Sequence, residues 1–240
     1  LDVFLHFFEP FSLKNLRYDT KISSNSKKWT WKDLQKWPKN KLFFISEREE
    51  TKKLVTSLGF IDRLNNEKYL FEATPDITSQ LQLLNNYLPK NNIIDGVFLT
   101  HAHIGHYTGL MYFGREAKGA KEIPVYAMPK MTTFLNENAP WNQLIQLNNI
   151  KVNELQNDST YHINKQFIIQ PILVPHRDEF SETVGYKIFG ANKTALFIPD
   201  INKWELWNKN IVDEVAKVDY AFLDATFFKD GEIPRPMNEV

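Results

Sequence analysis

The chain contains no cysteine among its 240 residues. That excludes disulfides and thiolate metal sites, so any bound metal has to be held by imidazole and carboxylate groups. Long hydrophobic runs are missing as well. No window approaches the ~18 uninterrupted apolar residues of a membrane span. A net charge is also absent, since 29 Lys and Arg balance 29 Asp and Glu. A nucleic-acid partner is therefore not expected, because phosphate backbones favour a strongly basic face. The balance is uneven along the chain. Residues 1–53 carry 12 basic against 7 acidic side chains, which leaves 17 against 22 for the rest. This basic segment reads as a peripheral solvated surface, with Trp29, Trp31 and Trp37 packed on the main body. The chain begins at Leu1 rather than Met, a start compatible with a removed signal peptide or a missing amino-terminal piece. Compartment and oligomeric state stay open.

A hydrophobic content of 42% suits a globular protein whose length supports one sizeable core. From Leu54 onward the pattern is regular. The apolar runs 54–61 and 69–73 flank a polar stretch and predict a hairpin. A helix follows, with Thr74 as cap, Pro75 in its first turn, and Ile77, Leu81, Leu84 and Leu88 on one stripe up to Pro89. A strand over 93–100 comes next, then a helix of about 108–118 closed by Gly119, with Leu110, Met111 and Phe113 as core contacts. Pro124–Ala127 reads as a short strand, and 129–148 as two helices broken at Pro140. Further strands are expected over 167–174, 183–189, 194–198 and 220–223, with a helix near 204–217. Strands and helices alternate without a parallel β-α-β rhythm throughout. The fold class is therefore α/β, with two mixed sheets covered by helices.

Half of the six histidines lie in Thr100-His101-Ala102-His103-Ile104-Gly105-His106, directly after the apolar run 93–99. Imidazole is the commonest zinc ligand, and a strand end followed by a turn can aim several rings at one point. In an extended segment His101 and His103 share a face, while Gly105 lets the backbone turn and bring His106 in from another side. His176 follows another apolar strand and Asp200 another still, so both are placed at strand ends like the cluster. Glu72 and Asp224 also end strands and are candidates to fix an imidazole tautomer from behind. Tyr107, Thr108 and Arg177, next to ligands, are candidates to touch substrate, and Arg177 suits a carboxylate or phosphate. His6 and His162 have no such company and read as structural.

These residues resemble the H-x-H-x-D-H motif of the metallo-β-lactamase superfamily, with Gly105 where the motif has Asp. Val174-Pro175-His176 and Leu196-Phe197-Ile198-Pro199-Asp200 follow in the order of the superfamily's later His and Asp ligands. The runs 99–119 and 175–179 also resemble a branch labelled as similar to pyrroloquinoline quinone biosynthesis protein B. The likeness covers about residues 54–240, leaving 1–53 as a basic amino-terminal segment. It implies a four-layer αβ/βα sandwich with a metal site along one edge of the sheets.

The resemblance also implies a ligand count. One metal takes His101, His103 and His176, and that set is complete. A second takes the motif's Asp, His106, the bridging Asp200 and a final histidine. Here Gly105 supplies nothing, and no histidine follows residue 176. The chain stops at Val240, so the expectation is that a final histidine lies beyond it. The expected cofactor is zinc, one or two ions, with iron or manganese as other fits. The expected activity is hydrolysis of a small-molecule or peptide substrate by a metal-activated water, with Asp200 orienting it. The alternatives are a pyrroloquinoline quinone biosynthesis protein B-like role, with iron-dependent oxidation, or a metal-binding accessory protein without turnover.

Overall fold

A computed structural model of the chain describes residues 54–225, together with the backbone of three short strands before them, β1 (Val3–Phe7), β2 (Ile22–Ser24) and β3 (Lys27–Trp29). Trp31, Trp37 and the stretch 234–237 lie outside the described residues. Two mixed sheets form the body. The first has the order β1, β4 (Ser57–Asp62), β5 (Glu67–Phe71), β6 (Gly96–Phe98), β7 (Ile123–Ala127), β8 (Ile150–Glu154). The second has the order β13 (Tyr220–Leu223), β12 (Thr194–Ile198), β11 (Val184–Phe189), β10 (Ile168–Leu173), β9 (Tyr161–His162).

Alternation along the strands assigns each side chain to a layer, because successive residues of a strand face opposite sides of its sheet. Leu58, Phe60, Tyr69, Phe71 and Phe98 face inward and meet Phe167, Ile169, Tyr186, Ile188 and Phe197 of the second sheet. The intervening Ile61, Leu70, Val97 and Leu99 face outward onto helices. On the far side, Ile172, Leu196 and Ile198 meet Trp207 and Val215. Three apolar layers between two sheets and two sets of helices make a four-layer sandwich. Among the described residues no helix is long and apolar enough to cross a membrane.

Most of the expected elements form, and the departures have local causes. Helix α1 (Ile77–Tyr87) begins two residues after Pro75, with Asp76 at its cap position. Thr74 Oγ1 accepts from Asp76 N–H at 3.1 Å, so the threonine shapes the turn before the helix. The helix expected over 108–118 is instead a short turn α2 (Ile104–Tyr107) followed by a 3-10 helix, Thr108–Phe113. At three residues per turn, Leu110 and Phe113 share the buried side while Met111 points out at 48% exposure, against its expected core role. Helices α3 (Pro129–Glu137) and α4 (Trp141–Gln146) flank Pro140 as read. The stretch 204–217 divides into a 3-10 turn, Trp204–Leu206, and helix α5 (Ile211–Ala216). The division falls at Asn210, whose side chain accepts from Val212 N–H and starts a new helix. Strands β8 and β9, short and half-exposed, were not expected.

Candidate metal centre

Strand direction brings the candidate ligands to one edge. β5 and β6 are parallel, so Glu72 and the histidine loop leave the first sheet at the same end. β12 and β13 are parallel, and β10 is antiparallel to β11, itself antiparallel to β12, so β10 runs with β12. His176, Asp200 and Asp224 therefore leave the second sheet together. The histidine loop is also tied across the sandwich. Tyr186 Oη donates to Leu99 O at 2.6 Å, Val184 N–H to Thr100 O at 3.2 Å and Ala102 N–H to Ser181 Oγ at 2.8 Å.

His101, His103, His176 and Asp200 each direct one ligand atom into a group whose members all lie within 4.8 Å of one another. His101 Nε2 is 2.8 Å from His103 Nδ1, which is 3.2 Å from His176 Nε2. Asp200 Oδ2 lies 3.6 Å from His101 Nε2, 3.5 Å from His176 Nε2 and 3.4 Å from His106 Nε2.

The outer ring nitrogens decide what faces inward. His103 Nε2 is 2.8 Å from Glu179 Oε2 and His176 Nδ1 is 2.8 Å from Asn202 Oδ1, both acceptors, so these nitrogens carry the protons. His101 Nδ1 sits 2.8 Å from Thr100 Oγ1. With that nitrogen donating, three lone pairs and a carboxylate oxygen point at one another. Such an arrangement repels itself unless a cation lies among the donors. Four ligands about 2.0–2.1 Å from a tetrahedral zinc are separated by roughly 3.3 Å, close to the observed spacing. The residues present fit a divalent metal.

Electrostatics agree with ligation by neutral imidazoles. Burial, reinforced by His106, lowers the pKa of His101 to about 2. Burial lowers that of His176 as well. The Asp200 carboxyl is held below the usual range by His106, His101 and His176, against its own burial.

His106 lies on the other side of Asp200. Its Nδ1 is 3.6 Å from Glu72 Oε2, and both Glu72 oxygens and this nitrogen are buried without a full hydrogen bond. Burial lowers the pKa of His106, but Glu72 and Asp200 outweigh it and raise it to about 10. Glu72 itself is pushed up by complete burial, opposed by His106 and the Thr100 hydroxyl. Its backbone adopts φ 81°, a conformation that costs a non-glycine residue on the order of 1–3 kcal/mol. Neighbouring hydrogen bonds hold the turn, from Glu72 N–H to Phe98 O and from Ala73 N–H to His106 O, each 2.8 Å. Gly109 belongs to the same clamp, since a Cβ there would meet Thr74 O at 2.1 Å.

Gly105 behaves differently from the expectation. It lies within the helical turn Ile104–Tyr107 without a positive φ, and a Cβ there would meet nothing closer than Val55 Cγ1 at 4.0 Å. The helical turn itself swings His106 round, and glycine's freedom is not required.

Other candidates are placed as follows. Asp224 accepts from Ile201 N–H at 3.1 Å, and its own N–H donates to Ile198 O at 2.8 Å, so it shapes the turn carrying Asp200. Tyr107 is buried, edge-on to Phe134 and Trp141, rather than presented to a ligand. Thr108 Oγ1 donates to Ile104 O at 2.7 Å, and Arg177 is exposed. Thr100, Glu179 and Asn202 were not singled out from sequence. Their only signal there was proximity, one to three residues, to a ligand.

The sequence profile described as the Beta-lactamase superfamily domain matches residues 67–238. No curated protein matches the chain. Among solved structures the chain is similar to Zn(2+)-bound PqqB from Methylobacterium extorquens, with 20% identity and a TM-score of 0.51 over 61% of this chain and 53% of that one. It is also similar to the metallo-beta-lactamase fold protein YhfI from Bacillus subtilis, at 18% identity and TM-score 0.45, over 60% and 55% of the two chains. The short form of human tRNase Z gives 15% identity and TM-score 0.46, over 70% and 69%. The chain thus spans about half the length of the PqqB and YhfI chains.

Proposed function

Because the chain belongs to the metallo-β-lactamase superfamily, we propose that it is a metal-dependent hydrolase whose ion would be held by His101, His103 and His176, with Asp200 beside it and a coordination position left for water. The observation that carries this reading is the convergence of three imidazole nitrogens and one carboxylate oxygen at ligand spacing. A divalent ion bound there supplies a Lewis acid and lowers the pKa of a coordinated water toward ~7.

The chain's own residues do the rest. Thr100, Glu179 and Asn202 fix the three tautomers, so the ligands keep their lone pairs inward without rearrangement. Asp200, kept ionised by the neighbouring imidazoles, would accept a hydrogen bond from a water at the ion and orient it toward a scissile carbonyl carbon or phosphoryl phosphorus. Arg177, exposed beside His176, is free to meet an anionic group of the substrate. His106 and Asp200 offer a second ion only two ligands, so the first ion is held more tightly than the second. Tyr107 keeps the loop in place from below through its aromatic contacts.

Metal analysis of the purified protein, with an activity screen over lactams, thioesters and phosphodiesters, tests this reading. We expect about one tightly bound zinc per chain and turnover that His103→Ala abolishes. A chain that takes up no metal, or turnover indifferent to His103→Ala, refutes it. A second reading, a PqqB-like role with iron-dependent oxidation of a peptide side chain, is supported by the resemblance of residues 99–119 and 175–179. Three imidazoles and a carboxylate also suit non-haem iron. Bound iron with oxygen consumption would select it. Bound metal with neither activity would select a binding or accessory role, which the missing carboxylate at Gly105 favours.

A further inference from the structure

Two large apolar side chains, one next to His103 in sequence and one next to its partner Glu179, are left in solvent. Ile104, the next residue, is 70% exposed, and Phe180, next to the Glu179 that holds His103, is 64% exposed. Phe180 does not stand alone. Its ring centroid is 6.0 Å from that of Phe134 on helix α3, and the two rings, with Pro129 and Thr133, line a surface groove of about 350 Å³. This volume lies at the lower end of the range for small-molecule sites.

The groove is unsuited to an anion. The free N–H groups at the start of α3 are already taken, since Lys130 N–H donates to Glu182 Oε2 at 3.0 Å and Met131 N–H to the same oxygen at 3.3 Å. The charged groups at its rim, Lys130 and Glu137, have opposite signs. What remains on offer is mainly the aromatic and aliphatic surface of Phe134, Phe180 and Pro129, with Thr133 and Asn138 beside it, and Phe180 is one residue along the chain from the side chain that orients a candidate ligand.

We propose that this groove is the substrate's apolar subsite: the substrate carries an aromatic group that rests on Phe180 and Phe134 while its scissile bond lies at the metal. The inference rests on the metal-dependent reading above and adds a substrate class to it. An aromatic ring placed against the exposed Phe180 buries apolar surface of both partners and gains ring-edge contacts, which together correspond to about tenfold or more in affinity.

The test is a series of hydroxamic acids bound to the zinc-loaded chain and followed by calorimetry: acetohydroxamic, benzohydroxamic, phenylacetohydroxamic and 3-phenylpropanohydroxamic acid. The hydroxamate anchors each compound on the metal, and the linker varies the reach of the ring. We expect at least one aryl member to bind about tenfold or more tighter than acetohydroxamic acid, with that gain lost in Phe180→Ala and partly kept in Phe180→Leu. Phe180 is exposed, and unchanged zinc content of Phe180→Ala shows that the fold and the metal centre survive. No gain from any aryl member, or a gain that persists in Phe180→Ala, overturns the subsite while leaving the metal reading intact. Failure of acetohydroxamic acid itself to bind counts against the metal reading and takes the subsite with it.

Discussion

The two sides of Asp200 are built to different standards. Toward His101, His103 and His176, every imidazole has its outer nitrogen at 2.8 Å from a side-chain oxygen. Toward His106, the outer nitrogen faces Glu72 at 3.6 Å without a full hydrogen bond, and the neighbouring Gly105 adds no ligand. One side is a finished set of three tautomer-fixed donors. The other is a buried imidazole facing the buried Glu72 carboxyl and sharing Asp200 with the first side. The difference teaches that ligand number and ligand support fail together here, since the side that lacks a carboxylate also lacks tight support from behind.

The sharpest way to break this comparison is to remove a donor from the finished side. His101→Ala should weaken the first zinc by more than 100-fold, beyond the effect of losing an outer-shell partner, whereas His106→Ala should leave the first equivalent nearly unchanged in a zinc titration. Equal losses would show that the two sides act as one site. Next in size is removal of the support. Glu179→Ala should cost about 10–100-fold in zinc affinity, because His103 loses the acceptor that fixes its tautomer; competition with a chromophoric chelator would reveal it, and an unchanged affinity would mean that backbone placement alone orients the ring.

Completing the unfinished side should have a smaller effect. Gly105→Asp places a carboxylate on a helical turn with room for its Cβ, so the chain should fold and bind a second zinc about tenfold more tightly. A second equivalent that stays as weak as before would show that position 105 does not face Asp200.

The smallest effects are those of pH on the metal-free protein, and the two sides should have opposite signs. His101 has its folded pKa depressed to about 2 from an ordinary value near 6.5. Below about 6.5 the unfolded chain therefore binds more protons at this site, and stability falls as pH drops from there toward 2. His106 has its folded pKa raised to about 10. Its contribution is fully present below about 6.5 and is lost as pH rises through 10. Thermal melts in the presence of a chelator should then show His101→Gln flattening the acid limb and His106→Gln flattening the alkaline limb, by several degrees each for a domain of this size. A swap of the two limbs would refute the assignment.

Particular residues show how much was legible in the sequence. His101 and His103 were readable from their clustering after an apolar run, whereas His176 and Asp200, each at the end of an apolar run, were singled out by their match to the superfamily's later ligands. The apolar strands themselves were readable as continuous apolar runs, as Thr194–Ile198 and Tyr220–Leu223 show. Strand β8 was not, because Ile150 and Val152 alone carry its pattern. Nor was the 3-10 form of Thr108–Phe113, which follows from the close approach of Gly109 to the 73–74 backbone, a contact between segments 35 residues apart in sequence.

What the sequence by itself determined was which imidazoles and carboxylates stand at strand ends and which layer most strand residues occupy, since both depend on residue type and on the apolar pattern along the chain. What only the tertiary structure decided was the state of those donors. Glu179 meets His103 across 76 residues, Asn202 meets His176 across 26, and Glu72 stands 3.6 Å from His106. Tautomers are set by the partner of the outer ring nitrogen and proton affinities by burial and by charges within about 4–6 Å, and those groups come from loops that the order of the chain does not bring together.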